Sequence, residues 1–142
     1  MNIIAVMVTS IDGKIFSKEG KYLPWVSKED QIHFTKLKEM FPLLVMGRRT
    51  YQHVAPSLIP HPSLRRIVMT RSPHLFTANT IPGQLEFTNE SPDTLTQRLE
   101  HEGYSSLLLA GGTDIYSQFI NAHLVTEIHL TIEPVLLNGG HA

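Results

Sequence analysis

Cysteine is absent from the 142 residues of the sequence, which excludes a disulfide scaffold, a thiol nucleophile and a cysteine-ligated zinc site. No apolar run approaches the ~20 residues that a membrane-spanning helix needs. The N-terminal apolar run, residues 3–8, has no basic leader before it, which favours a first strand over a signal peptide. We therefore expect a cytoplasmic protein with no membrane partner.

A strong excess of one charge is also missing. Charged residues make up 18% of the sequence, and the net charge is −1. Because no basic block is present, we expect no nucleic-acid partner. A hydrophobic content of 42% suffices for one compact core, so a single domain is predicted over residues 1–142.

Several motifs of catalysis and ligand binding are missing as well. The chain has no G-x-G-x-x-G, no Walker A sequence and no G-x-S-x-G nucleophile elbow. Its eight histidines show neither the H-x-x-x-H nor the H-E-x-x-H spacing. No metal site is therefore predicted.

Short apolar runs alternate with helical patterns along the chain. Strands are predicted at residues 3–8, 43–46, 67–69, 85–87, 107–110 and 125–135, and helices at 27–41, 49–54, 91–102 and 113–120. This alternation is typical of an α/β domain whose sheet contains parallel strand pairs.

The helix predicted at residues 27–41 carries an acid in line with its apolar positions. Its inward face holds, at spacing i, i+4, i+7 and i+11, Asp30, Phe34, Leu37 and Phe41. A carboxylate on that face loses hydration, and it can bind a polar heterocycle or help to move a proton. Ser27 and Asp30 also fit a capping box, so a structural role at the helix start is the alternative.

Two buried strands run into glycine where a helix begins. The residues at these junctions are Gly47, Arg48, Arg49 and Thr50, and then Gly111, Gly112, Thr113 and Asp114. Backbone N–H groups at a helix start favour an anion, and glycine allows a ligand to approach closely. The junctions therefore suit a ligand with several phosphates, although tight strand–helix turns need glycine in any case. Arg71 lies beside Thr70 at another strand end and could bind an extra phosphate, such as the one that NADPH carries.

Taken together, these segments resemble dihydrofolate reductase and its superfamily. The segments that carry the resemblance are Ile4-Ala5-Val6, Leu23-Pro24-Trp25 with Asp30 and Phe34, Met46 to Tyr51, Met69 to Ser72, Gly111 to Tyr116, and Leu130-Thr131. They follow the order of the family and cover nearly the whole chain. The resemblance implies a dihydrofolate reductase-like three-layer fold, with a mostly parallel central sheet and helices on both faces.

The resemblance also implies roles for individual residues. Asp30 would bind a pterin ring and promote its protonation, and Trp25 would hold an ordered water beside that ring. The rest of the substrate pocket would comprise Ala5, Val6 and Phe34, with Thr131 supporting the Asp30 carboxylate. NADPH would be bound by Gly47, Arg48, Arg49, Thr50, Thr70, Arg71, Gly111, Gly112, Thr113, Asp114 and Ile115. In this family the Gly111–Gly112 peptide bond would be cis.

Other segments are similar to the reductase domain of riboflavin biosynthesis, which reduces a ribosylamino-pyrimidine phosphate. They are Ser10 to Ile15, Trp25-x-Ser27-x-Glu29 with His33, and Val125 to Gly140. A substrate with its own phosphate needs a basic group, and Lys14, Lys18 or Lys21 could supply one.

Three hypotheses follow for the function. The first is NADPH-dependent reduction of 7,8-dihydrofolate to tetrahydrofolate. The second is a 5-amino-6-(5-phosphoribosylamino)uracil reductase, and the third is an NADPH-binding domain without catalysis. Members of the superfamily continue with a hairpin that covers the sheet edge, and this sequence stops before it. We therefore expect an exposed edge, and with it either a homodimer or a truncated form.

Overall fold

The structure is a computed structural model, and it describes residues 1–15 and 26–137. Within these ranges the strands are β1 (Asn2–Ser10), β2 (Leu43–Gly47), β3 (Arg65–Met69), β4 (Leu85–Thr88), β5 (Ser106–Leu109) and β6 (Glu127–Glu133). The α-helices are α1 (Lys28–Met40), α2 (Arg48–Val54), α3 (Pro92–His101) and α4 (Thr113–Asn121). Every strand and helix predicted from the sequence is therefore present.

The six strands form one sheet in the order β4-β3-β2-β5-β1-β6. Each pairing between neighbouring strands is parallel, so the expected mostly parallel sheet is wholly parallel. Strands that are buried on both faces read as continuous apolar runs, which explains why these runs identified them in the sequence.

The two faces of the sheet are covered by different helices. Because successive side chains of a strand point to opposite faces, alternate residues of β1 and β2 enter two separate cores. On one face Ile3 and Leu43 pack with α3 and α4. On the other face Ile4 and Leu44 pack with α1 and α2. This arrangement confirms the three-layer α/β fold with helices on both faces.

The last strand is shorter than the run predicted at residues 125–135. It ends at Glu133 because Pro134 has no amide hydrogen and the N–H of Val135 turns back to the carbonyl of Glu133, at 2.8 Å. Two 3-10 turns, Ala55–Ser57 and Pro73–Asn79, were not predicted. Both contain proline in their first turn, which fixes a helical φ without supplying a donor.

Strand β6 forms one edge of the sheet among the described residues. Ile128, Leu130 and Ile132 are 53%, 51% and 62% exposed on it. They are in register with Ala5, Met7 and Thr9 of β1, so they lie on the face that α3 and α4 cover elsewhere. Within the described part of the chain, this edge therefore presents an apolar surface.

A network of ion pairs links α3 to strands β3 and β4. Arg98 donates to Glu90 at 2.7 Å, to Glu86 at 3.0 Å and to Glu102 at 3.1 Å, and Arg65 also pairs with Glu86 and Glu102. The hydrogen bonds from Arg98 lower the pKa of the Glu90 carboxyl below its ordinary value of 4.5. Glu90 is partly buried, so solvent screens the network less than a fully exposed pair.

We expect the free energy of unfolding of Glu90→Gln to fall less than that of the wild type when the pH is lowered. Because the native pKa of Glu90 is depressed, its contribution is complete above the pKa of the unfolded chain and is lost as the pH falls through the native value. Urea unfolding at about pH 6 and about pH 3 should therefore show a smaller fall in the free energy of unfolding for the variant than for the wild type. Glu39→Gln, on the exposed side of α1, is the matched control. An equal fall for wild type and Glu90→Gln would contradict the prediction.

Candidate active site

A cleft of about 650 Å3 opens where α1 and α2 cover the sheet. It extends from Ala110 and Gly112, just after the carboxyl end of β5, to Leu44 and Arg66, the second residues of β2 and β3. Its volume lies in the range of small-molecule sites, and ligands of parallel sheets bind at the carboxyl ends of the strands, where one end of this cleft lies. The lining includes apolar residues of the strands and both helices, together with the polar residues Asp30, Lys38, Thr50, His53, Ser57 and Arg66.

Asp30 lies in the wall of the cleft and is only 8% exposed. The helical spacing in the sequence therefore placed it correctly on the inward face of α1. Its backbone N–H donates to the Oγ of Ser27, the residue that caps the helix, at 3.1 Å. Among the described residues, no side chain or backbone group hydrogen-bonds to its carboxylate. The backbone of Asp30 therefore serves the cap, while its carboxylate is available to a ligand.

The reciprocal half of the capping box is made by a residue distant in the sequence. In a capping box, the side chain of the third helical residue accepts from the N–H of the N-cap residue. Here the N–H of Ser27 donates instead to Oε1 of Glu133, at 3.1 Å. The sequence did not indicate Glu133, because this contact joins residues 106 positions apart.

Apolar groups form the walls beside Asp30. Phe34 follows one turn later on α1, and Val6 comes from β1. The hydroxyl of Tyr116 donates to the carbonyl oxygen of Val6, which fixes α4 against β1 at the cleft. A flat heterocycle can therefore pack between apolar surfaces with its polar edge at Asp30.

Two cations, Lys38 and Arg66, also line the cleft. Burial lowers the pKa of Lys38, and the charge of Arg66 lowers it further. Burial likewise lowers the pKa of Arg66, whose Nη1 donates to the carbonyl of Ile59 at 3.2 Å. None of the ion pairs among the described residues includes either cation, although the Lys38 ammonium lies 5.1 Å from the centroid of the Phe34 ring. Two partly dehydrated cations that have no carboxylate partner among the described residues suit an anionic ligand.

Lys38 and Arg66 are not among the residues predicted from the sequence, although helical spacing indicates the position of Lys38. Lys38 continues the series of Asp30 and Phe34 at i+8, and so lies on the same face of α1. Arg66 is in register with Leu44 of β2, which places its side chain on the face of the sheet that the cleft occupies. Of the lysines proposed instead, Lys14 is not part of the lining, and Lys18 and Lys21 lie outside the described residues.

The two strand–helix junctions meet beside the cleft. The N–H of Gly47 donates to the carbonyl of Gly111 at 2.7 Å, and the Gly111–Gly112 peptide bond is cis, as the resemblance implies. A Cβ atom on Gly47 would lie 2.8 Å from Cγ1 of Ile115, and one on Gly111 would lie 2.8 Å from the Tyr116 ring. These two glycines are therefore required by internal packing.

Gly112 differs from these two glycines. It lines the cleft, and the nearest atom to a Cβ at this position would be Oγ1 of Thr50, at an ordinary contact distance of 3.6 Å. Gly112 and Thr50, both half-buried, therefore offer a ligand one surface that combines backbone with a hydroxyl group.

The other residues predicted to bind the cofactor do not line the cleft. Arg48, Arg49, Arg71, Thr113 and Asp114 are exposed. Thr70 is buried and accepts a hydrogen bond from the N–H of Ser72, at 3.2 Å. Ile115 belongs to the core on the α3–α4 face.

The predicted substrate residues divide in a similar way. Val6 and Phe34 line the cleft with Asp30, whereas the side chain of Ala5 is fully buried in the core on the opposite face. Thr131 is half-buried on β6, in register with Val8. Trp25 lies outside the described residues.

No helix in the ranges 1–15 and 26–137 combines the length and the apolar content that crossing a membrane requires. Within the same ranges, no three His, Cys, Asp or Glu side chains form a group that could hold a metal ion.

A family model, that of the RibD C-terminal domain, matches residues 1–142. The chain is 25% identical to the Bacillus subtilis protein YwjB over 96% of its own length and 79% of that protein. It is also 34% identical to the dihydrofolate reductase of Mycobacterium tuberculosis, over 53% of this chain and 47% of that enzyme.

A solved structure shares the fold of this chain. The structure of a protein assigned to riboflavin biosynthesis, from Shewanella sp. PV-4, superposes with a TM-score of 0.77 at 27% identity. The superposition covers 99% of this chain and 81% of the other.

Proposed function

The chain belongs to the RibD C-terminal domain family, a family of reductase domains with the dihydrofolate reductase-like fold, and we propose that it transfers hydride from NADPH to a pyrimidine that carries a phosphate. The family match supports this substrate, the second of the three hypotheses, better than it supports dihydrofolate. A compound of the class of 5-amino-6-(5-phosphoribosylamino)uracil is therefore the proposed substrate.

The position of Gly112 and Thr50 supports a cofactor site in the cleft. Gly112 has no side chain of its own, and the Thr50 hydroxyl lies beside its backbone. These two residues would hold NADPH, and exposed arginines at the nearby junctions and strand end, Arg48, Arg49 and Arg71, would attract its phosphates. When bound, NADPH supplies the hydride.

Asp30 would bind and orient the heterocycle. Its carboxylate can accept hydrogen bonds from ring N–H or amino groups, and Val6 and Phe34 limit water around it. When a carbon receives a hydride, the heteroatom bonded to that carbon must take up a proton. A carboxyl group in this position can hold that proton or pass it from water.

One observation carries the proposal of an anionic substrate. The carboxylate of Asp30 and the cations Lys38 and Arg66 line a single cleft. Asp30 and Lys38 are eight residues apart on one face of α1, which corresponds to about 12 Å along the helix axis. A substrate with a heterocycle at one end and a phosphate at the other fits this separation of charges.

We expect Lys38→Met to raise KM for the phosphorylated pyrimidine about 10- to 100-fold, because a charge-assisted hydrogen bond contributes about 1.5–3 kcal/mol. The kcat value should change less, since the lost contact is remote from Asp30. Steady-state oxidation of NADPH measures both parameters. Lys36→Met, on the exposed side of the same helix, is the matched control and should behave as the wild type.

The same assay separates the three hypotheses. Equal KM values for the phosphorylated and the dephosphorylated pyrimidine would contradict the anion site. Turnover of 7,8-dihydrofolate alone would restore the first hypothesis. If NADPH binds and neither substrate is reduced, the third hypothesis, binding without catalysis, is correct.

A further inference from the structure

A buried acid lies where β6 ends beside the start of α1. Glu133 is the last residue of β6 and is only 7% exposed. It is in register with Ser10 of β1, which is also buried, so both side chains point to the sheet face that α1 covers. No ion pair among the described residues includes Glu133. The contact that accounts for its position is the hydrogen bond from the N–H of Ser27.

The first turn of α1 has one donor for which two acids could compete. The N–H groups of a helix start have no partner within the helix, and the N-cap N–H is normally taken by the acid at the third helical position. In this chain that acid is Asp30. If Asp30 turned back to Ser27, it would complete the capping box, and its carboxylate would be withdrawn from the cleft.

We propose that Glu133 is a positioning residue that occupies the N–H of Ser27 and thereby keeps the carboxylate of Asp30 directed into the cleft. The inference rests on the proposed function, in which Asp30 contacts the substrate. Glu133 does not line the cleft, so it acts through Asp30. The hydrogen bond also ties the edge strand to the helix that carries Asp30.

The activity test compares two variants at position 133. Glu133→Ala should lower kcat about 10- to 100-fold, since a small displacement of a reacting group has an effect of this size. The Kd for NADPH, followed by its fluorescence, should stay unchanged because Gly112 and Thr50 are not affected. Glu133→Gln keeps an oxygen that can accept from Ser27, so kcat should return to within about 3-fold of the wild type. Glu127→Ala, at the exposed start of the same strand, is the control.

Two outcomes of this test would overturn the proposal. One is an unchanged kcat in Glu133→Ala. The other is a loss of kcat of about 10-fold or more in Glu133→Gln relative to the wild type, with NADPH binding intact. The second outcome decides the matter even if Glu133→Ala does not fold.

Amide hydrogen exchange at Ser27 tests the competition without any substrate. In Glu133→Ala the amide should stay protected, because Asp30 becomes its acceptor. In the double variant Glu133→Ala/Asp30→Ala it should exchange about 3- to 10-fold faster, the effect of losing one hydrogen bond. Equally fast exchange in Glu133→Ala and in the double variant would show that Asp30 does not turn back, and would overturn the proposal.

Exchange at Ser27 also separates this proposal from the proposed function. A wild type that reduces neither the pyrimidine nor dihydrofolate would remove the proposed function. The exchange measurements would then still decide whether Glu133 and Asp30 compete for the same donor.

Discussion

Asp30→Asn should lower kcat about 100-fold or more, because general acid–base catalysis typically contributes a factor of 10²–10⁴. Asparagine has nearly the same size as aspartate, so the cleft and the helix cap remain, but its amide can neither carry the charge nor hold the proton. Because the cleft remains intact, the Kd for NADPH should stay within about 3-fold of the wild-type value. Oxidation of NADPH gives kcat, and cofactor fluorescence gives Kd.

The neighbouring acid provides a matched control. Glu29 also lies in the first turn of α1, but its side chain is exposed. Glu29→Gln removes a similar charge from the same helix end, so it reports the effect on the helix dipole alone. If Asp30→Asn and Glu29→Gln both leave turnover unchanged, Asp30 acts only at the helix start, and the catalytic assignment is wrong.

The second large effect is on stability, at Gly111. Its φ is +95°, and a Cβ at this position would lie 2.8 Å from three atoms of the buried Tyr116 side chain. Gly111→Ala should therefore lower the free energy of unfolding by about 2–5 kcal/mol, the sum of about 1–2 for the left-handed backbone and about 1–3 for overpacking. Urea unfolding measures the change, and Tyr116 should lose its fixed position beside the cleft.

Gly103 separates the two contributions. Its φ is +97°, nearly the same as that of Gly111, but a Cβ there would meet no atom within 4 Å. Gly103→Ala should therefore show only the backbone effect, about 1–2 kcal/mol. If the two variants lose equal stability, the contact with Tyr116 contributes nothing, and the packing explanation of Gly111 fails.

The sequence predicted features that depend on neighbours within one element. Apolar runs located the six strands of the described residues, and the spacing on α1 placed Asp30 and Leu37 inward, where both are buried. The serine at position 27 was identified as a cap and is one. These results follow from the periods of strand and helix, which are local properties of the chain.

Features that depend on strand order could not be predicted. The bond from Gly47 to Gly111 exists because β2 and β5 are neighbours in the sheet, and apolar runs do not specify that order. The contact between Ser27 and Glu133 needs both the register of β6 and the position of α1 over the sheet. Lys38 is a different case, because its place on the same face of α1 as Asp30 follows from helical spacing, whereas the cleft that it shares with Arg66 depends on the position of α1 over β3.

The order of the strands has a consequence for how the chain folds. Strand β1 comes first in the sequence, yet it lies between β5 and β6, where Asn2 pairs with Ser106 and Ile4 with Glu127. Neither partner of β1 exists on the ribosome until β2, β3 and β4 have been made. Long loops must also close before these pairings form, which slows folding and leaves apolar strands exposed meanwhile. The sheet is therefore completed late, when β6 adds to β1 and brings Glu133 to the start of α1.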